Sequence, residues 1–155
     1  MRKMAMTLGL AALVLLVVQA RSDDKDKPVK DKDARDGALK LEGDYTIVAG
    51  EKDGKAEPEE RIKGTMVHIT ADKISVTDKD KKETYVTAYV VDTSRKPYAI
   101  TLTETVPNRG VVAKGLVERE DDTVRLIYAL PDGNVPTEFK TKGKQLMFVM
   151  KSAKK

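Results

Sequence analysis

Thr65-Met66-Val67-His68-Ile69-Thr70-Ala71-Asp72-Lys73-Ile74-Ser75-Val76-Thr77 reads as two strands and the turn between them. Val67 and Ile69 alternate with Met66 and His68, while Ile74 and Val76 alternate with Ser75 and Thr77. Successive side chains of an extended chain point to opposite sides, so each half has one buried and one wet face. Ala71-Asp72 joins the halves tightly, which makes them antiparallel neighbours.

The same pattern runs outward in both directions. Candidate strands are Tyr45 to Ala49, Thr65 to Thr70, Lys73 to Thr77, Thr84 to Val91, Tyr98 to Thr103, Val111 to Val117, Thr123 to Ala129 and Gln145 to Met150. Gly, Pro, Asp or Lys clusters separate them, a spacing typical of an antiparallel sandwich or barrel. Eight strands close a small barrel, so the expected fold is all-β and antiparallel, with at most one short helix. Asp53-Gly54 and Pro131-Asp132-Gly133-Asn134 supply turn residues. Glu57 to Ile62 is the one place that suggests a helix, with Pro58 near its first turn and acids at its positive end. Pro136 to Phe139 reads as a ninth short strand or an extended connection. No repeat of fixed period appears.

Before the strands the chain changes character twice. Arg2 and Lys3 precede an apolar run from Leu8 to Val18, and Val18-Gln19-Ala20 ends it, the order of a secretory signal peptide over residues 1–20. The rival reading is an uncleaved membrane anchor, because Met4 to Ala20 meets the lower limit of the roughly 17–25 residues that a spanning helix needs. Arg21 to Gly37 holds six basic and six acidic residues with one larger apolar residue, Val29, and is expected to be a disordered linker. Residues 38–155 then form the barrel domain. The expected location is outside the cytoplasm, periplasmic or extracellular.

Composition narrows the chemistry. There are no cysteines, so a disulfide framework and lipidation at a cysteine are both excluded. Loss of residues 1–20 would remove two of the 29 basic residues and none of the 25 acidic ones, leaving the charge near balance. Nucleic acid is therefore not an expected partner. A Cys/His pair is impossible, and a Ser/His/Asp triad would need His68, the single histidine, to meet Ser22, Ser75, Ser94 or Ser152. The acids at Glu57, Glu59 and Glu60, at Asp78 and Asp80, and at Glu118, Glu120, Asp121 and Asp122 fall in predicted turns. Asp78 to Glu83 alternates oxygens as a calcium loop does, but it lacks the glycine and length and carries three lysines. No metal and no cofactor is expected.

The aromatic residues are more informative. Tyr85, Thr87, Tyr89 and Val91 share one face of a long strand, and Tyr45, Tyr98, Tyr128, Phe139 and Phe148 lie in or beside others. Inward residues of a small barrel either fill it or line a pocket for one ligand. Tyr45, Tyr85, Tyr89, Tyr128 and Phe148 are the candidate pocket residues. Lys140, Lys142 and Lys144 alternate, so on an extended chain they point the same way. They are candidates for contact with an anionic envelope component, or guards against sheet aggregation on an edge strand.

Leu41-Glu42-Gly43-Asp44-Tyr45-Thr46-Ile47-Val48, then Glu51-Lys52-Asp53-Gly54-Lys55 and Pro58, resembles the opening of an uncharacterised family of small exported planctomycete domains. The likeness continues through Ile62-Lys63-Gly64, Pro97 to Leu102 and Val135-Pro136-Thr137-Glu138-Phe139. Tyr45 stands where that family commonly has Trp, and Val135 where it commonly has Arg. The resemblance implies a lipocalin-like strand order, in which a Gly-x-Trp near the first strand closes one barrel end, often under a basic side chain. Tyr offers a smaller ring face for such a contact. The family has no established activity to lend.

Together these readings give an exported, non-enzymatic β-barrel binding module with a small apolar ligand as its expected partner. The alternatives are an envelope interaction domain with a filled barrel, and a hydrolase using acidic residues. Membrane contact is expected only through the N-terminal segment, if it stays uncleaved.

Overall fold

The computed structural model describes residues 39–153; the expected signal peptide (1–20) and linker (21–37) lie outside the described residues. The elements are β1 (Gly43–Lys52), β2 (Lys55–Ala56), α1 (Glu59–Ile62), β3 (Met66–Ile69), β4 (Lys73–Thr77), β5 (Glu83–Asp92), β6 (Tyr98–Val106), β7 (Val112–Glu120), β8 (Thr123–Ala129) and β9 (Gln145–Ser152). All eight expected strands and the single short helix are present. Pro136 to Phe139 is a connection, not a ninth strand.

From β3 to β9 each strand pairs antiparallel with the next along the chain, β1 pairs with both β2 and β3, and β9 returns to pair with β1 from Tyr45↔Ser152 to Lys52↔Leu146. The sheet therefore closes into an eight-stranded up-and-down barrel. β2 is a two-residue hairpin partner of β1, and β3 takes up the same edge further back, at Gly43↔Ile69 to Thr46↔Met66. Asp53 (φ 53°) and Gly54 (φ 78°) are both left-handed, as the two-residue turn between β1 and β2 requires.

Period-two alternation decides what fills the barrel. Tyr45, Ile47, Val67, Ile69, Ile74, Ile100, Leu102, Val117, Val124, Leu126 and Met150 form one buried cluster. Gly115 lies in the paired β7–β8 ladder opposite Tyr128. A Cβ there would stand 1.9 Å from the Ile127 carbonyl oxygen, so only glycine lets the two strands approach so closely.

The two barrel ends differ. At the end where β1 begins, Tyr45 is 1% exposed and donates its hydroxyl to the Leu41 carbonyl oxygen at 2.7 Å, with Leu41 2% exposed beside it. At the other end three register shifts interrupt the ladders, leaving Val48, Thr84 and Thr105 without a partner. Such bulges bend strands and gather at barrel rims. α1 lies at this rim and turns Ile62 inward, 8% exposed.

The connection from β8 to β9 packs back onto the barrel. Gln145 donates to the Asn134 carbonyl, and Thr141 donates from its backbone N–H to Glu51 Oε1 at 2.8 Å and from its hydroxyl to the same oxygen. These bonds hold the Glu51 carboxyl below its ordinary range, helped by Lys140. A lowered folded pKa contributes stability that is complete above the unfolded value, about 4.3, and is lost as pH falls through the folded one. Melting temperature should fall more steeply between about pH 5 and pH 3 in the wild type than in Glu51→Gln. Equal slopes in a pH-resolved thermal melt would contradict this anchoring.

Candidate functional site

The barrel is filled at its Tyr45 end and hollow at its α1 end. A cavity of about 360 Å³ occupies the hollow part, walled by Ile47, Ile62, Val67, Ile74, Val76, Leu102, Leu126, Phe148 and Met150. Tyr85, Thr87 and Tyr128 add hydroxyls within, while Arg61, Thr65, Asp78 and Thr84 complete the lining. Arg61 is held by an ion pair with Glu57, Nη1 to Oε2 3.1 Å. The volume falls in the range that small-molecule sites occupy, and an apolar wall with a few placed polar groups is their usual make-up.

Next to this chamber lies a second, of about 370 Å³, reached past Tyr85 and Tyr128, which line both. Burial pushes the Tyr128 hydroxyl far up, reinforced by Tyr85 and by Glu104. Tyr85 is raised by burial first and then by Glu104. Both phenols are therefore neutral and act as hydrogen-bond partners at any physiological pH.

Of the pocket residues read from the sequence, Tyr85, Tyr128 and Phe148 come together here. Tyr45 and Tyr89 do not line the cavity. Tyr45 closes the opposite end, and Tyr89 packs against the core with its hydroxyl donated to the Thr70 carbonyl oxygen at 2.7 Å. Burial raises Tyr45, with Arg119 partly opposing it, but Arg119 spends its Nη1 on the Lys40 carbonyl. The cation–π contacts are instead Lys96 over Tyr98, at 5.8 Å, and Arg125 over Phe139, at 4.9 Å.

Lys140, Lys142 and Lys144 do not form a one-sided row. Their segment is not a strand, and Lys144 has φ 59°, which breaks the extended geometry the alternation needed. Lys142 pairs with Glu138 at 3.2 Å, and Lys144 lies 4.0 Å from Asp132. The edge-strand reading fails with it, because a closed barrel leaves these lysines no edge to guard.

Other concavities carry less chemistry. A groove of about 530 Å³ runs outside the Tyr45 end past Lys40, Lys96, Arg119 and Glu120, where the Arg119 guanidinium is already committed to the Lys40 and Asp121 carbonyls. A hollow of about 220 Å³ flanks α1. His68 is exposed, and its Nδ1 bonds Asp44. Asp44, His68 and Ser75 stand in register across β1, β3 and β4 on the outer wall, the residue types of a triad. Ser75 makes no side-chain hydrogen bond to His68 among the described residues, and none of these cavities is lined by the three. The acids gather into no metal-holding group of three among the described residues. Asp78 instead accepts from the Asp80 and Lys82 backbone N–H groups at 2.9 Å.

Glu104 is the functional candidate that reading the residues missed. Compared with protein-family models, curated proteins and solved structures, the chain matches none.

Proposed function

We propose that this chain is a non-enzymatic, lipocalin-like binding module that works outside the cytoplasm and takes a small, largely apolar molecule through the α1 end of its barrel. The observation that carries the reading is the apolar cavity of about 360 Å³, closed below by the packed core and rimmed by bulged strands. Export rests on the signal-like order of residues 1–20. The filled-barrel interaction domain has less support, since two of its three lysines, Lys142 and Lys144, face local acids and the three form no one-sided row.

The test is a fluorescence titration with 1-naphthol on the full chain and on Val76→Trp, whose indole would occupy the chamber. Saturable binding to the wild type with a loss of about tenfold or more in the variant is the expected result. Equal binding to both would place the probe elsewhere and remove the reading.

A further inference from the structure

β6 runs Tyr98, Ile100, Leu102, Glu104 along its inward face, so alternation carries a carboxylate onto a side that is otherwise apolar or aromatic. Glu104 is 9% exposed. A buried charged group is the informative exception in a barrel interior, because removing it from water is costly unless something compensates. Here the compensation is one-sided. Oε1 accepts from the Asn108 backbone N–H at 2.9 Å and from Asn108 Nδ2 at 3.1 Å, whereas no protein donor reaches Oε2 among the described residues. Among the described residues no lysine or arginine lines this chamber, and Tyr85 and Tyr128 stand between it and the main cavity.

We propose that this second chamber is a binding site for a small organic ammonium ion, held by Glu104 with Tyr85 and Tyr128 beside it. A positive group gains a charge-assisted hydrogen bond from the free carboxylate oxygen and attraction from the tyrosine ring faces. An anion would meet a carboxylate with no cation to offset it. Among the described residues a metal ion would find one carboxylate here and no second acid or histidine, short of the oxygen set that hard cations take. The Val111, Ala113, Leu130 and Pro131 side of the chamber suits the hydrocarbon part of the same molecule.

The site adjoins the one proposed above and shares Tyr85 and Tyr128 with it, but Glu104 belongs to this chamber alone, and the experiment keeps the two apart. Phenethylamine, protonated at neutral pH, and its neutral isostere 2-phenylethanol are titrated calorimetrically into the full chain and into Glu104→Gln. Gln retains the oxygen that accepts from Asn108 and puts a neutral amide NH2 where the free, charged oxygen stood. The ammonium should bind the wild type about tenfold or more tightly than the alcohol, and that preference should vanish in Glu104→Gln. Binding of 1-naphthol in the main cavity should not change. Equal affinity for amine and alcohol in the wild type overturns the proposal without any variant, as does an amine preference that survives Glu104→Gln. Loss of 1-naphthol binding alone, with amine binding intact, would overturn the main-cavity reading and leave this one standing.

Discussion

Tyr45→Ala should destabilise the protein by about 3–5 kcal/mol, the range for deleting a fully buried aromatic ring. The ring is 1% exposed, belongs to the central cluster, and has its hydroxyl tied back to Leu41. Removing it leaves a void at the closed end that flanking strands cannot collapse into, because each is fixed by ladders on both sides. Tyr45→Phe keeps the ring and loses one hydrogen bond, so it should cost only about 1 kcal/mol. Urea unfolding curves separate the two. A Tyr45→Ala cost as small as that of Tyr45→Phe would mean that the ring does not close the barrel.

Gly115→Ala should be as damaging, although it adds a single methyl group. Its Cβ would meet the Ile127 carbonyl oxygen at 1.9 Å and the Tyr128 Cα at 2.8 Å, and backbone atoms cannot swing aside. The β7–β8 ladder must part locally, with an expected cost of about 3 kcal/mol or more, at the upper end for overpacking. Gly143 provides the comparison, since a Cβ there has nothing within 4 Å. Gly143→Ala should stay within about 0.5 kcal/mol of the wild type. Matching losses at the two positions would contradict the close strand approach.

Much of this barrel is legible in its residues, and the illegible parts have identifiable causes. Val67 and Ile69 against Met66 and His68, and Ile74 against Lys73 and Ser75, report their faces directly because burial and the two-residue period coincide. The bulge at Val48 is different. Alternation from Ile47 would turn Ala49 inward, yet both Val48 and Ala49 are exposed and Gly50 faces in, and nothing in that stretch marks the change of phase. Alternation also gives a face without a depth. Tyr85 and Tyr89 do share the inner side of β5, but one strand end reaches the hollow half and the other the packed half, so only Tyr85 meets the cavity. Which half lies where depends on the stagger of eight strands around the axis, a property of closure that no single strand carries.

Glu104 escaped for a simpler reason. Alternation predicts a strand from Tyr98 to Thr103, whereas β6 runs on to Val106, and one more step of the same period places the Glu104 carboxylate inside. The lysine row fails in the opposite way, because the segment that carries it is not extended. In β6 the period holds as far as Glu104, whereas the lysine segment is not a strand and carries no period.

The central claim is that the α1 end of the barrel is hollow and the Tyr45 end packed. Methyl-labelled NMR during titration with 1-naphthol tests it most directly. The account predicts saturable shifts at Ile47, Val67, Val76, Leu102 and Met150, with Ile69, Ile100 and Val124 left in place. Shifts spread over outer-wall methyls, or none at all at saturating probe, would contradict it.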